Sequence, residues 1–533
     1  MLTPSSSEAT KEAEMRRIML GDYLLSILRR ANVVEDSTWV TEVALPLLAN
    51  FAYTIDLVCS PPLSEKTRTV FRTRLMSTFT HLVSDLTGYL YPCTLLQGFK
   101  PNAVEMDKDI TKTKDHALSI MEKILKKVKR TKDDDKAPLQ ALALLYSLVI
   151  LQLYNSEVEA VTILDELKLC YDKLIRHKET EYADVVASEV LVELLLSFIS
   201  KPSALLRKVT QHVFQAFLDD MTAGGLQLMT DVLESGESLR GQQELFDQQP
   251  EDGEDIDNED SDEDDEMDSD VEVIEMNGEG GQLNGYLLEE DNEEEDDSEE
   301  QDDVDDEEFN NDEEVKRLND ALAKVFKTDA DQESDSDADM TDSEMMALEP
   351  KLIEYFSHQK KAPNKKQEQK DAKETMVNFK SRVLDLLEIY VKKQASNHLA
   401  LGLLLPLLQL IRSTKTKQLG DKAFGIIGAF YKASNDVNKE GMAGISQEEQ
   451  FELLKTIHLE PRKDQSGKFC KAASSASLLI VSNLYRGDKG CFRKIVDVYG
   501  DTLAAWVTEK DVEMQTEFQI GWLNWCQSKA KGN

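Results

Sequence analysis

Between Glu251 and Glu314 the chain carries 36 Asp or Glu and no Lys or Arg. Like charges at that density repel one another wherever the segment tries to compact. The few apolar residues inside it, such as Val273, Ile274, Leu287 and Leu288, bury too little area to offset the entropy of ordering the chain. A disordered acidic tract is therefore expected over 248–345, with one block before it (1–247) and another after it (346–533).

The tract sets the net charge of −41 without representing its flanks. Residues 1–250 hold 28 basic and 35 acidic side chains, 315–350 hold 4 and 10, and 351–533 hold 29 and 21. The second block is thus basic, and a basic surface is what meets nucleic acid.

Both flanks read as helix. From Lys11 to Leu233 apolar residues recur three or four apart, as in Phe71, Leu75, Phe79, Leu82 and Leu86, in Ala117, Ile120, Ile124 and Val128, and in Leu142, Tyr146, Val149 and Leu153. Breaks fall at Ser60-Pro61-Pro62, Tyr91-Pro92, Lys100-Pro101, Ala137-Pro138 and Lys201-Pro202-Ser203. Helix starts near Pro138, Glu157, Tyr182 and Ser203 give about 40 to 45 residues per helix pair, the period of HEAT or armadillo repeats. A non-repeating helical bundle is the alternative. Beyond the tract, stripes follow at Phe424, Ile427 and Tyr431, at Phe451, Leu454 and Ile457, and at Leu478, Val481 and Leu484. Phe518, Trp522 and Trp525 close the chain as a core-sealing aromatic face. The expected class is all-α, with HEAT/armadillo-like repeats in two blocks.

Within the acidic region, Val315, Leu318, Leu322, Val325 and Phe326 mark a short helix near 313–327. Ser261, Ser269, Ser334 and Ser336 each have an acidic residue three positions on, the context of acidophilic kinases; the plain alternative is that serine keeps an acidic run soluble.

The six cysteines (Cys59, Cys93, Cys170, Cys470, Cys491, Cys526) form no C-x-x-C pair, and no histidine stands at zinc-finger spacing. Neither a disulfide framework nor a structural metal is expected, which suits a reducing compartment. Met1 to Lys11 is polar, and the run Leu20 to Leu28 is broken by Gly21, Asp22 and Ser26, unlike a secretory signal. The longest apolar stretch noted, Leu403 to Ile411, is too short for a membrane span and contains Pro406. A soluble intracellular protein with no membrane partner is expected.

Motifs for chemistry are missing. There is no G-x-x-x-x-G-K-[ST] loop, no G-x-S-x-G elbow and no H-E-x-x-H pair. Tyr499-Gly500-Asp501-Thr502 is similar to the start of the Tyr-Gly-Asp-Thr-Asp-Ser signature of family B polymerases, but Leu503 replaces the second aspartate that two-metal transfer needs. A helix-terminating turn with Gly500 as its C-cap is the expected structure there. No catalytic residue, metal ligand, cofactor or small-molecule substrate is assigned.

Two basic clusters stand out. Lys126, Lys127, Lys129 and Arg130 end an amphipathic helix and fit either a nuclear import signal or a solvated face favoured at a helix C-terminus. Lys360, Lys361, Lys365, Lys366, Lys370 and Lys373 form a longer run, expected to be unstructured and suited to import or to phosphate contacts without sequence specificity, and Lys380 and Arg382 follow it.

The run from Glu189 to Arg207, continuing through Val213-Phe214, Gly225-Leu226-Gln227 and Gln242 to Asp247, resembles the segment preceding the acidic region in the DNA polymerase phi (DNA polymerase V, Myb-binding protein) family. Arg382 to Lys393 with Leu403-Leu-Leu-Pro-Leu-Leu408 resembles it too, and the order of helical block, acidic tract and basic block agrees. The resemblance covers most of the chain and corresponds to the C-terminal half of a family member of ordinary length, as a truncated gene model or a lost N-terminal half would give. It implies a nuclear, largely nucleolar protein of helical repeats that binds rDNA or rRNA and basic nucleolar or ribosomal proteins in rRNA transcription and ribosome biogenesis. The reading favoured is a non-enzymatic scaffold. The alternatives are a DNA-directed DNA polymerase, as the family name implies, and a transport or chaperone adaptor for basic cargo.

Overall fold

The protein is described by a computed structural model over residues 6–30, 37–53, 59–100, 103–177, 186–245, 365–437, 442, 444–462, 466–509 and 516–531. The expected disorder of the acidic tract and the expected helix near 313–327 lie outside these residues. Among the described residues every regular element is helical.

The first stretch runs α1 (Ser6–Leu28), a π turn leading into α2 (Leu45–Tyr53), α3 (Glu65–Leu82), α4 (Leu90–Gln97), α5 (Lys108–Val128), α6 (Ala137–Tyr154), α7 (Ala160–Cys170), α8 (Ala187–Ser200), α9 (Ala204–Ala216), α10 (Ala223–Glu234) and α11 (Leu239–Leu245). Side-chain caps start several of them. Ser64 accepts from Thr67 N–H at 3.2 Å, Ser203 from Leu206 at 3.3 Å and Thr222 from Gly225 at 3.1 Å. Pro138 sits in the first turn of α6, where its missing N–H costs nothing. Pro92, read from sequence as a break, likewise lies in the first turn of α4 and is buried there.

Of the expected stripes, Phe71, Leu75, Phe79 and Leu82 on α3 and Ala117, Ile120, Ile124 and Val128 on α5 are buried, whereas Leu86 lies past the end of α3 and, like Phe424, Tyr431 and Leu478, is partly buried. Helix α6 departs from the amphipathic expectation. From Ala141 to Tyr154 every side chain is buried, so it is a central rod packed on all faces, chiefly by α4, α5, α7 and α9. It also corrects the reading of Leu403–Ile411 as the longest apolar stretch. By length and composition α6 alone among the described helices could cross a membrane, yet 83 % of its 18-residue window is buried inside the fold.

The second stretch runs α12 (Lys365–Lys393), α13 (Leu404–Ser413), α14 (Lys417–Val437), α15 (Gln447–Leu459), α16 (Gly467–Gly487), α17 (Phe492–Thr508) and α18 (Thr516–Lys531). A full capping box opens α15, with Ser446 and Glu449 satisfying each other's backbone N–H. Phe518, Trp522 and Trp525 of α18 are buried, as their spacing predicts.

The described helices before and after the tract belong to one compact unit. Their apolar side chains merge into a single buried cluster, and α10 packs on α13. Polar interactions fix the register of that seam. Arg382 donates to Ile199 O at 2.7 Å and Lys201 O at 3.1 Å, placing a cation on the open carbonyls at the end of α8. Asp385 receives Lys422 at 2.6 Å and lies 3.9 Å from Arg207. Lys380, 3 % exposed, pairs with Glu237 at 3.6 Å, and Thr416 donates to the same carboxylate at 3.1 Å. Two residues read from sequence as part of a basic surface, Lys380 and Arg382, are therefore spent inside the fold.

Burial pushes the Lys380 ammonium below the ordinary lysine range, and Glu237 opposes that shift. Removing Glu237 alone strands a buried cation, whereas replacing both partners by apolar residues of like size, Glu237→Leu with Lys380→Met, removes the desolvation cost along with the pair. We expect Glu237→Ala to cost about 3–5 kcal/mol in denaturant unfolding and the double change Glu237→Leu with Lys380→Met to cost clearly less. Equal costs would mean that the pair is not desolvated.

Candidate functional site

Helix periodicity carries α17 straight through the polymerase-like tetrapeptide. Tyr499, Gly500, Asp501 and Thr502 lie within one continuous helix, which ends only at Thr508. The expected turn with Gly500 as C-cap is thus corrected: Gly500 is mid-helix, where a Cβ would meet nothing within 4 Å. The glycine ends no helix because the residues after it, Thr502 and Ala505, continue the buried stripe of Ile495, Val498 and Tyr499.

The two polar members of the tetrapeptide that face inward are tied into the core. Tyr499 Oη and Ser477 Oγ lie 2.6 Å apart, His458 Nε2 lies 2.9 Å from Ser477 Oγ, and His458 Nδ1 lies 2.8 Å from Thr502 Oγ1. Thr502 also donates back to Val498 O at 2.9 Å. Burial pushes the Tyr499 phenol far above its usual range, so it stays neutral. The rings close round this chain. Tyr499 stacks on Trp522 at 4.2 Å, and His458 meets Tyr499 and Phe518 edge-on. This buried network joins α15, α16, α17 and α18. No local sequence signal points to it, because His458 lies 19 residues from Ser477 and 44 from Thr502. Asp501 is left exposed on the outer face of α17. Among the described residues no three His, Cys, Asp or Glu converge as metal ligands would.

The cationic candidates divide. Lys126, Lys127, Lys129 and Arg130 are exposed at the end of α5. Lys126 lies 3.7 Å from Glu122, and Lys127 crosses to donate to Ile175 O at 3.1 Å. That hydrogen bond brings the π turn Tyr171–Ile175, with Lys173 and Arg176 beside it, against the cluster. These two cations lie some 45 residues further along the chain, so nothing in the sequence near the cluster associates them with it. Arg176 is held by Asp172 at 2.9 Å. The run expected to be unstructured is corrected from Lys365 on: Lys365, Lys366, Lys370 and Lys373 lie in α12, the first two in its first turn. Lys360, Lys361, Ser261, Ser269, Ser334 and Ser336 lie outside the described residues.

Among the described residues the frame is all helical, and the tetrapeptide lies in a helix and not in a sheet. The DNA polymerase phi family matches residues 1–391, and the chain belongs to that family. It is 30 % identical over 523 residues to the rDNA transcriptional regulator pol5 of Schizosaccharomyces pombe, covering 94 % of this chain and 52 % of that protein. It is 26 % identical over 468 residues to the rDNA transcriptional regulator POL5 of Saccharomyces cerevisiae, covering 80 % and 43 %. It is 33 % identical over 293 residues to Myb-binding protein 1A of Homo sapiens, covering 51 % and 20 %. The chain spans about half the length of the yeast proteins and a fifth of the human one. These relatives are named as regulators and binding proteins. No solved structure matches the chain.

The geometry at Gly500 fixes the sign of one substitution. Gly500→Ala removes backbone entropy in an open helical position and is expected to stabilise the protein by about 0.5–1 kcal/mol in denaturant unfolding. A C-cap glycine would give destabilisation instead.

Proposed function

We propose that the chain is a non-enzymatic scaffold acting in rDNA transcription and, through it, in rRNA production and ribosome biogenesis in the nucleolus. The single observation that carries this reading is membership of a family whose curated relatives include two proteins named as rDNA transcriptional regulators. In this reading the helices form HEAT/armadillo-like repeats in two blocks, 1–247 and 346–533, and offer surfaces instead of a reaction centre. The exposed cations at the end of α5 contact rDNA or rRNA phosphates without reading sequence, and Lys360, Lys361, Lys365 and Lys366 serve the same end or nuclear import. The tract over 248–345, phosphorylated at Ser261, Ser269, Ser334 or Ser336, attracts basic nucleolar or ribosomal proteins and screens the basic surfaces from unproductive nucleic-acid encounters. The core roles of Tyr499 and Thr502 favour this over template-directed synthesis.

Three outcomes test it. The purified chain should bind rRNA or rDNA fragments with an affinity that falls steeply with salt, and Lys126, Lys129 and Arg130 changed to Glu should weaken binding and flatten the log–log salt slope by about 1 for each phosphate no longer neutralised. A slope near zero sinks the idea that cations meet phosphates here. Removing 251–345 should tighten nucleic-acid binding. Nucleotide incorporation that disappears in Asp501→Ala would overturn the scaffold reading in favour of a polymerase.

A further inference from the structure

A row of aromatic rings reaches the surface where α16 ends, α17 begins and α18 ends. Trp525 of α18 lies 5.4 Å from Tyr485 of α16, and Tyr485 lies 5.9 Å from Phe492, the first residue of α17. Trp522 backs Phe492 at 6.0 Å. The two tryptophans are buried, but Phe492 is 38 % exposed, one of two Phe, Tyr or Trp side chains that stand exposed among the described residues. Its ring is thus braced from behind by Tyr485 and Trp522 and open in front.

Cations surround that ring. Lys489 lies in the short turn before it, and the Lys489 carbonyl accepts the Phe492 N–H. Arg493 and Lys494 follow directly, Lys529 holds its Nζ 5.5 Å from the Trp525 ring, and Lys531 stands two residues further on. All five side chains are exposed. Two carboxylates stand among them. Asp488 spends its Oδ1 on Gly490 N–H at 2.7 Å, and Asp497 meets Arg493 at 3.2 Å in a pair exposed at both ends, which neutralises little. Lys529 and Lys531 end α18, where the helix dipole favours a cation. Arg493 and Lys494 open α17, where the dipole opposes them and no acidic residue balances them. Their charge therefore does nothing for the helix that carries it.

Cations alone fit any polyanion, and the open ring decides between them. A duplex keeps its base faces within its own stack, and a run of Asp and Glu has no π face to lay on phenylalanine. An unpaired base has one, and its phosphates supply the anions. We propose that this end of the bundle binds an unpaired nucleic-acid strand, with a base stacked on Phe492 and neighbouring phosphates neutralised by Lys489, Arg493 and Lys529. The site makes no use of the cations of α5, and it adds to the proposed scaffold a preference for single strands that phosphate contacts by themselves do not give.

The test uses the full-length protein, both unaltered and with Lys126, Lys129 and Arg130 changed to Glu, and three fluorescein-labelled 12-mers: oligouridine, oligothymidine and an RNA duplex. In both proteins a single strand should bind about fivefold or more tightly than the duplex by fluorescence anisotropy. Phe492→Leu keeps apolar bulk against Tyr485 and Trp522, so the unfolding midpoint, the duplex affinity and the salt slope should hold while single-strand affinity drops about fivefold or more. Phe492→Tyr should keep that affinity. Lys489→Ala with Lys529→Ala should instead flatten the log–log salt slope for the single strand by about 1.4, that is about 0.7 for each phosphate released. Ultraviolet crosslinks to oligouridine should fall on 489–494. Tighter binding of oligouridine marks a transcript as the source of the strand and tighter binding of oligothymidine a melted DNA strand, and either supports the site. Undiminished single-strand binding by the Phe492→Leu protein, or equal binding of the duplex, overturns the proposal. Single-strand binding that vanishes with the α5 changes also overturns it and leaves the α5 surface standing. So does a polyglutamate peptide that displaces the strand and itself binds less well to the Phe492→Leu protein, since an acidic protein segment would then be the occupant.

Discussion

Arg382 reaches back 183 residues to close the carbonyl end of α8 at Ile199, and the arrangement of the described helices depends on that reach. A guanidinium on the last carbonyls of a helix satisfies orphan acceptors and meets the negative end of the helix dipole at once. Around it, Lys380 with Glu237 and Asp385 with Lys422 and Arg207 set one register for the two stretches, and apolar packing of α10 on α13 supplies the adhesion. Of these pairs Lys380 with Glu237 is the buried one, and the hydration it loses on closing offsets much of its attraction, whereas the Asp385 pairs stay partly exposed.

The seam gives a physical sense to the charge asymmetry of the flanks. The stretch before the tract carries an acidic excess and the stretch after it a basic excess. Part of each is consumed where they meet. Counting basic residues from sequence therefore overstates the cationic surface left for nucleic acid: Lys380, Arg382 and Lys422 have partners inside the fold. The cations at the end of α5 are different, since they stay exposed and the turn after α7 brings further cations beside them.

Helix periodicity makes most of the fold legible. The stripes on α3 and α5 and the aromatic face of α18 are buried as their spacing requires, because a 3.6-residue repeat of apolar side chains has one face to hide. Helix α6 misleads, since Ser147 and Gln152 interrupt its apolar run in sequence yet are buried with the rest. Gly500 misleads for the opposite reason, since a local stop signal yields to the stripe on either side of it. What stays illegible is whatever depends on distant partners. The His458 network and the role of Arg382 both arise from residues brought together only by packing, and no short window of sequence contains them.

If the seam holds, the helices on both sides of the acidic tract fold as one body. A protease site inserted between Gly280 and Gly281 and cut in the native protein provides the most direct measurement, read by sedimentation velocity. One species carrying both fragments, which unfolds in a single transition, is the result expected. Fragments that separate after cleavage under native conditions would contradict it.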